Sequence, residues 1–276
     1  MQITPHIHAV HVDDKAVSHP GGSNNYFVGD PSEGMVIIDT GDHDRQWTGQ
    51  ILKAYEELGH PPITAIAITH GHRDHVGGLD RVFDAVRAPV RCHPKLVERL
   101  AAVVGKENVV RLRSNERIRT GGGVSLAAIF TPGHEEDHIC YYLARGKVLF
   151  TGDTVLGSSS STVRDLADYM RSLQKLARLR VEVICPAHGP VVPNPRASRL
   201  VTWYINHRNQ REQQVLATLR KGIGDVDGMV HDIYPRNLKK GLRQSAARNV
   251  RTHLAKLVKE GVVEEVPARY RLKKGG

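Results

Sequence analysis

The 276-residue chain is predicted to have an α/β fold followed by a small C-terminal domain. Short apolar, β-branched runs alternate with segments of helical periodicity through most of the chain, which is typical of α/β domains. Near Tyr204 the order changes to three helices and a hairpin, which is the order of a winged helix. The predicted domains are therefore residues 1–203 and 204–276, and the length is sufficient for two cores.

Strands are predicted where apolar runs end at Gly, Pro or a polar residue. They span residues 36–40, 63–70, 124–130, 139–143, 148–151 and 183–185. Helical spacing is present in residues 44–58, 76–83 and 163–179. The last of these helices has one apolar stripe, which indicates core packing rather than a cofactor site.

The C-terminal domain is predicted to begin with a polar helix over residues 206–221 and a short helix over residues 226–234. Residues 244–260 form an amphipathic helix, because the apolar residues Ala247, Val250, Leu254 and Leu257 share one face. A hairpin of residues 262–266 and 269–272, with a turn at 267–268, completes the predicted winged helix.

The net charge of +10 is concentrated in this C-terminal part. Residues 206–276 contain 16 Lys and Arg against 7 Asp and Glu, whereas residues 1–205 are close to neutral. A segregated positive charge favours a polyanionic partner. The alternatives are a solvated face, a domain that shields the active-site entrance, or a dimer interface.

The chain shows no signal of export or membrane insertion. No apolar run approaches the roughly 20 residues of a membrane span, so no membrane partner is expected. The N-terminal residues resemble neither a secretory signal nor a transit peptide, so the expected compartment is the cytoplasm. Cys92, Cys140 and Cys185 lie far apart and are interpreted as free, buried thiols.

A cluster of potential metal ligands directly follows the strand predicted at residues 63–70. His70, His72, Asp74 and His75 lie within six residues of each other. Imidazole and carboxylate groups are the ligands that zinc prefers, and Mn²⁺ and Fe²⁺ also suit them. On a loop that enters a helix, such a segment can present side chains to two metals.

Three further candidates, His134, Asp153 and His188, each follow a predicted strand and have Gly, Pro or Ala beside them. The full set of five His and two Asp provides three ligands for each of two metals and one carboxylate to bridge them. The nearby His138 is interpreted as a candidate support for one of these ligands. The other histidines are interpreted as surface or core residues.

These residues resemble the metal-binding motifs of the metallo-β-lactamase superfamily, and more closely its β-lactamase-like protein 2 branch. The similarity covers nearly the whole chain. Its segments are residues 39–41 (DTG), 70–75 (HGHRDH), 131–138 (TPGHEEDH), 150–157 (FTGDTVLG), 161–163 (STV), 165–173 (DLADYMRSL) and 207–214 (HRNQREQQ), with the winged helix that follows them.

The resemblance implies an αβ/βα sandwich, with residues 39–41 supporting the metal loop. It also implies that two metal ions, expected to be Zn²⁺, are held by seven side chains. The implied ligands are His70, His72 and His134 for the first metal, Asp74, His75 and His188 for the second, and Asp153 as the bridge.

Two such ions about 4 Å apart lower the pKa of a shared water from ~15.7 towards ~7, so a metal-bridging hydroxide is the expected nucleophile. Asp74 is the predicted catalytic residue, because it is placed both to bind metal and to orient the hydroxide. This chemistry predicts hydrolysis without fixing the bond that is cleaved, because the fold is used for many substrates.

The sequence favours a single-stranded RNA endonuclease, because the C-terminal domain is basic and the resembling branch includes a mitochondrial endoribonuclease of animals. RNA would be the partner of exposed cations around the amphipathic helix. The predicted nucleic-acid contacts are Lys239, Lys240, Arg243, Arg248, Arg251 and Lys259.

Two other functions remain open. The first is a thioesterase, lactonase, β-lactamase-like or other small-molecule hydrolase that acts on a small acyl or ester substrate. The second is a DNA-binding metal sensor in which residues 244–260 enter the duplex. The complete set of metal ligands argues against the sensor. No feature of the sequence fixes the oligomeric state.

Overall fold

In a computed structural model, two β-sheets pack face to face and helices cover both outer faces. The structure describes residues 1–14, 21–158, 160–266 and 269–272, although not the side chains of residues 240, 269, 271 and 272. The layers form the αβ/βα sandwich that was expected, and a winged-helix domain follows it, so the predicted fold class is confirmed.

The first sheet has seven strands whose spatial order equals their order in the chain. The first four strands pair antiparallel with their neighbours. The fourth strand also pairs in parallel with the fifth, and the remaining pairs of the sheet are parallel. The strands are β1 (Gln2–Thr4), β2 (Ile7–Val12), β3 (Ser23–Asp30), β4 (Gly34–Ile38), β5 (Ile63–Ala67), β6 (Val90–Cys92) and β7 (Val109–Arg111).

The second sheet has six strands in the order β13-β12-β11-β10-β9-β8. Only β11 and β12 are parallel among these neighbours, and a helix connects them. The strands are β8 (Arg117–Thr120), β9 (Val124–Phe130), β10 (Ile139–Leu143), β11 (Val148–Gly152), β12 (Val183–Pro186) and β13 (Val192–Pro193).

Helices of the sandwich lie on its outer faces. On the first sheet they are α1 (Arg45–Glu57), α2 (Arg73–Val76), α3 (Leu79–Val86) and α4 (Val97–Val104), with 3₁₀ turns at Pro94–Leu96 and Lys106–Asn108. The second sheet is covered by α5 (Leu166–Leu176) and by α6 (Ala197–Arg220), which leads into the C-terminal domain.

The strands are apolar on both faces because both faces are covered. In β3, Tyr26 and Val28 point into the core between the sheets, whereas Phe27 points outwards into the core beneath α1, α3 and α4. This alternation follows from the two-residue period of a strand. The carboxyl ends of β4, β5, β11 and β12 lead into the loops that carry the candidate site.

Two predicted helices of the sandwich differ from the observed ones. The helix predicted over 76–83 is divided into α2 and α3 at Gly77-Gly78, where a Cβ would lie 2.5 Å from Arg73 O or 2.4 Å from Thr40 O. The helix predicted over 163–179 begins only at Leu166, after Asp165 accepts a hydrogen bond from the N–H of Asp168 as the N-cap. Residues 161–165 are therefore not helical.

The C-terminal domain contains α7 (Val226–Ile233), α8 (Lys240–Lys259), β14 (Val263–Val266) and β15 (Arg269–Leu272). Its core includes the predicted residues Val250, Leu254 and Leu257 of α8. The predicted turn at 267–268 lies outside the described residues. The predicted boundary at 203/204 falls within α6, which starts nine residues before the helix expected there, so a continuous helix joins the domains and the boundary stays a prediction.

No helix in the described parts of the chain is both long and apolar enough to cross a membrane. The three cysteines are free and buried, as the sequence predicted. The compartment stays a prediction.

Candidate metal centre

The seven predicted ligands converge at one edge of the sandwich in two adjacent groups. The first group contains His70, His72, His134 and Asp153, with one potential ligand atom from each within 4.8 Å of all the others. The second group contains Asp74, His75 and His188, and one potential ligand atom from each again lies within 4.8 Å of the others.

Strand ends and one short helix position these side chains. His70 follows β5, and His72 precedes α2, whose first turn carries Asp74 and His75. Asp153 and His188 follow the parallel neighbours β11 and β12, whose carboxyl ends meet at the same edge. The loop after β9 contributes His134.

Asp153 lies between the two groups and faces both of them. Its Oδ2 is 3.5 Å from His134 Nε2 and 4.0 Å from His70 Nε2. The other oxygen, Oδ1, is 3.6 Å from His75 Nε2 and 3.2 Å from His188 Nε2. A carboxylate in this position can bridge two cations with one oxygen on each.

Hydrogen bonds on the far side of each ring direct the second group. His75 Nδ1 donates to Asp39 Oδ2 at 2.8 Å, and His188 Nδ1 donates to Ser23 Oγ at 2.8 Å. The Ser23 hydroxyl in turn donates to Asp14. With Nδ1 protonated, each ring turns the lone pair of Nε2 towards the centre, which is the tautomer that a metal requires.

Asp39 also supports the loop that carries His70. The N–H and the hydroxyl of Thr69 both donate to its carboxylate at 2.7 Å. The Thr69 hydroxyl then accepts from His70 Nδ1 at 3.1 Å. Asp39 itself has φ 59°, a left-handed conformation that Asp tolerates better than most residues. The supporting role expected for residues 39–41 therefore has a clear geometric basis.

The other two histidines of the first group, His134 and His72, are directed by loop residues. His134 Nδ1 donates to the carbonyl oxygen of Thr162 at 2.8 Å. In His72 the two ring nitrogens exchange these roles. Its Nε2 donates to Glu135 Oε1 at 3.1 Å, and its Nδ1 lies 3.3 Å from His134 Nε2. Sequence reasoning did not single out Glu135 or Ser23, because nothing in the spacing of either residue marks it as a support.

His138 lies behind Asp153 and is completely buried. Its Nε2 accepts from the N–H of Asp153 at 3.1 Å, and its Nδ1 lies 2.9 Å from Thr131 Oγ1. Burial and the nearby His134 lower the pKa of His138 well below the usual range, so the ring is neutral and can accept this bond. This contact agrees with the supporting role predicted for His138.

The electrostatics of the group favour bound cations. Burial opposes protonation of His75, but the carboxylates of Asp39 and Asp153 outweigh it and raise the pKa to about 9. Burial also opposes protonation of His188, and hydrogen bonds to Asp153 and Asp74 raise the pKa to about 10. A divalent cation would displace these protons and interact with the same carboxylates.

Several buried polar atoms at the centre test whether the site fits metal ions. His70 Nε2 and His75 Nε2 are buried and have no hydrogen-bond partner among the described residues. Buried groups of this kind are rarely left unsatisfied. Their convergence at ligand-to-ligand distances makes divalent metals the partners that fit this pair of sites.

A cleft of about 710 Å³ adjoins the second group and includes Asp74 in its wall. Four other carboxylates line this acidic cleft, those of Asp13, Asp14, Asp42 and Asp44. Arg73 also lines it, but its Nε lies 3.2 Å from Asp42 Oδ1 and is thus paired. The cleft therefore presents negative charge beside the candidate metal site.

The predicted nucleic-acid residues lie on or just before α8. Lys239, Arg248, Arg251 and Lys259 are exposed, and the side chain of Lys240 lies outside the described residues. Two of these cations have protein partners: Arg243 donates to Arg236 O at 2.7 Å, and Lys259 Nζ lies 3.4 Å from Asp165 Oδ2. Their nucleic-acid role stays a prediction.

Comparison with known proteins assigns both domains. Residues 19–188 match the family model of the metallo-β-lactamase superfamily, and residues 226–271 match that of the beta-lactamase associated winged helix domain. A "Beta-lactamase-like protein 2 homolog" of Drosophila melanogaster is 34% identical over 252 residues, which cover 87% of this chain and 83% of that protein.

Another relative is the "Atrochrysone carboxyl ACP thioesterase" of Aspergillus fumigatus, which is 33% identical over 219 residues, or 75% of this chain and 64% of that protein. Among solved structures, a metallo-β-lactamase family protein of Thermus thermophilus aligns with a TM-score of 0.72 at 24% identity, over 99% of this chain and 100% of its own. These matches show that the chain belongs to the metallo-β-lactamase superfamily of hydrolases and carries the associated winged-helix domain.

Proposed function

We propose that the protein is a dinuclear zinc hydrolase that cleaves a small acyl thioester or ester. The observation that carries this proposal is Asp153, which faces both ligand groups beside an acidic cleft. The proposed ligands are His70, His72 and His134 for one ion and Asp74, His75 and His188 for the other, with Asp153 as the bridge.

The proposed choice of zinc rests on the ligand chemistry. Five imidazoles and two carboxylates in groups of three or four suit a borderline divalent ion better than Ca²⁺ or Mg²⁺, which prefer oxygen ligands. When bound, such ions lower the pKa of water and polarise the carbonyl oxygen of a substrate.

Asp74 is the proposed catalytic residue. Its Oδ2 lies 3.3 Å from His188 Nε2, and its side chain is 26% exposed at the wall of the cleft. The neighbours His188 and His75 outweigh the effect of burial and hold the pKa of Asp74 below its usual range, so the carboxylate is charged. It can therefore accept a hydrogen bond from the attacking water and orient it towards the cleft.

The acidic cleft favours an uncharged acyl group over a phosphodiester. Two unit charges 4 Å apart repel by ~1 to ~4 kcal/mol in the dielectric range of a protein surface. Asp13, Asp14 and Asp44, which lie in the wall beside the Asp42–Arg73 pair, therefore disfavour a polyanion that reaches the site from this side. The relative named as an acyl-carrier thioesterase supports the same substrate class.

Single-stranded RNA is the second candidate, and the exposed cations of the C-terminal domain favour it. Lys239, Arg248 and Arg251 are exposed. Such residues would bind phosphates with strong salt dependence. The two candidates make opposite predictions for the variant Lys239→Gln/Arg248→Gln/Arg251→Gln: RNA cleavage requires these cations, whereas hydrolysis of a neutral thioester does not.

The test is a parallel assay of the zinc-loaded full-length chain on an acyl N-acetylcysteamine thioester, which is neutral, and on labelled single-stranded RNA. We expect hydrolysis of the thioester and a loss of about 100-fold or more in Asp74→Ala. Circular dichroism and thermal unfolding of the variant verify that it is folded. If only the RNA is cleaved, and rising salt suppresses the cleavage, the acyl proposal is wrong and the RNA candidate replaces it.

A further inference from the structure

The segment of residues 161–165 lies between the candidate metal centre and the C-terminal domain. The exposure of its residues alternates: Ser161 and Val163 are buried, whereas Thr162 and Arg164 are exposed. Alternation of this kind is expected for an extended chain between two surfaces. Each side of the 161–165 segment makes a different set of contacts.

On one side, the segment holds two of the histidines of the first group. The carbonyl oxygen of Thr162 accepts from His134 Nδ1 at 2.8 Å. Arg164 Nη1 donates at 2.8 Å to Glu135 Oε2, and the other oxygen of that carboxylate is 3.1 Å from His72 Nε2. The orientation of both rings therefore depends on where residues 162 and 164 lie.

On the other side, helices α6 and α8 bind the segment at three points. Arg208 Nη2 of α6 donates to the carbonyl oxygen of Ser161 at 2.6 Å. From α8, Thr252 Oγ1 lies 3.5 Å from Val163 O, and Lys259 Nζ lies 3.4 Å from Asp165 Oδ2. The bond from Arg208 is the shortest of the three and is buried, whereas the Lys259 pair is longer and exposed, so the Arg208 bond is the strongest of them.

Arg208 is fixed in place by its surroundings. The residue is 4% exposed, and its guanidinium lies 5.4 Å from the centre of the Tyr169 ring of α5. Its Nη1 donates to Asn249 Oδ1 of α8 at 3.4 Å. The buried guanidinium of Arg208 therefore contacts a ring of α5, an amide of α8 and the carbonyl of Ser161, and each of these contacts orients it.

We propose that Arg208 is a positioning residue for the first metal: it holds Ser161, and through the next carbonyl it fixes the ring of His134. The C-terminal domain is thereby part of the support of this metal site. This inference rests on the proposed metal ligands. It also gives the segment 207–214 a role in supporting the metal site. The next basic residue of this segment, Arg211, has a different contact, because its guanidinium lies over the ring of Tyr234 at 4.2 Å from the ring centre.

The second group has supports elsewhere, in Asp39 and Ser23 of the sandwich. Loss of the Arg208 contact is therefore expected to weaken one metal and not the other. A general loss of stability would weaken both. This selectivity separates a positioning role from a merely structural one.

The test measures Co²⁺ affinity by visible absorption in two backgrounds that each keep one site. His188→Ala leaves the first group to be titrated, and His134→Ala leaves the second. In the His188→Ala background, we expect Arg208→Lys to weaken Co²⁺ binding about tenfold and to change the absorption bands, because a single ammonium cannot reproduce the guanidinium contacts. In the His134→Ala background, the same change is expected to leave the affinity unaltered.

Arg211→Lys is the matched control, because it alters an arginine one turn further along α6 that does not contact the 161–165 segment through the hydrogen bonds described. It should leave both affinities unchanged. Asn249→Ala provides an independent perturbation of the same guanidinium and should act in the same direction as Arg208→Lys, with a smaller effect.

Equal Co²⁺ affinity with and without Arg208→Lys in the His188→Ala background would overturn the proposal. So would an equal loss in both backgrounds. If the otherwise unaltered chain binds no Co²⁺, the proposed metal function fails first, and this result is distinct from a failure of the Arg208 inference alone.

Discussion

The two ligand groups have the same kinds of side chains but are supported in different ways. In the second group, His75 is bound by Asp39 at the end of β4 and His188 by Ser23 of β3, and both rings are buried. In the first group, His134 and His72 depend on residues of loops, and the side chain of His72 is 42% exposed.

This difference indicates how the site is divided between the domains. The second group is supported by strands of the sandwich, so its geometry is set when the sheets pack. The first group depends on the 161–165 segment, which the C-terminal helices contact. We therefore expect the two metals to respond differently to changes outside the ligands.

The largest effect is expected from Asp153→Asn, which removes the carboxylate whose two oxygens face the two groups. The amide keeps the shape but loses the charge that both cations need. We expect loss of both metals on dialysis and near-complete loss of hydrolysis. Metal content measured by mass spectrometry checks this, and retention of one full equivalent would show that Asp153 is not a bridge.

An intermediate effect is expected from Asp39→Asn and Glu135→Gln, which remove the carboxylates behind His75 and His72. Supports of this kind typically contribute about 10- to 100-fold in metal affinity. We expect Asp39→Asn to weaken the second metal towards the upper end of this range, because Asp39 is buried and accepts directly from His75 at 2.8 Å. Glu135→Gln should weaken the first metal towards the lower end.

Zinc competition with a chelating dye, in the His134→Ala and His188→Ala backgrounds, measures each metal separately. If Glu135→Gln weakens the second metal, or if Asp39→Asn leaves it unchanged, the proposed supports of the two groups are wrong.

The smallest effect is expected from Lys259→Gln, which removes an exposed ion pair with Asp165. Such pairs contribute less than about 1 kcal/mol to the free energy of unfolding. We expect a change in thermal unfolding within that limit and an unchanged affinity for both metals. A loss of first-group affinity comparable to that of Arg208→Lys would assign the positioning role to Lys259 instead.

Much of the candidate site could be predicted because its residues are local in sequence or follow strands. His70 to His75 lie within one loop, and each later candidate follows an apolar run that became a strand. The pattern could not reveal Arg208 or Ser23 as supports. Arg208 contacts Ser161 across 47 residues and Ser23 contacts His188 across 165 residues, so tertiary packing alone brings these pairs together.

The fold class and the order of the main elements were also predictable from periodicity, but several boundaries were not. One helix ends and another begins at Gly77-Gly78, where the neighbouring backbone leaves no room for a side chain. The start of α6 at Ala197 was not predicted because one face of its first turns is buried against the second sheet, unlike the polar pattern of residues 206–221. The acidic cleft was not predicted, because its residues come from separate parts of the chain. They lie at the end of β2 and just after it, in the β4–α1 loop, in α1 and in α2.

The most direct test of the account is the zinc content of the purified chain, measured by native mass spectrometry. We expect two zinc ions per chain in the natural sequence and one in each of His134→Ala and His188→Ala. Absence of zinc from the natural sequence after incubation with the metal, or retention of two ions in both variants, would contradict a dinuclear site built on these seven side chains.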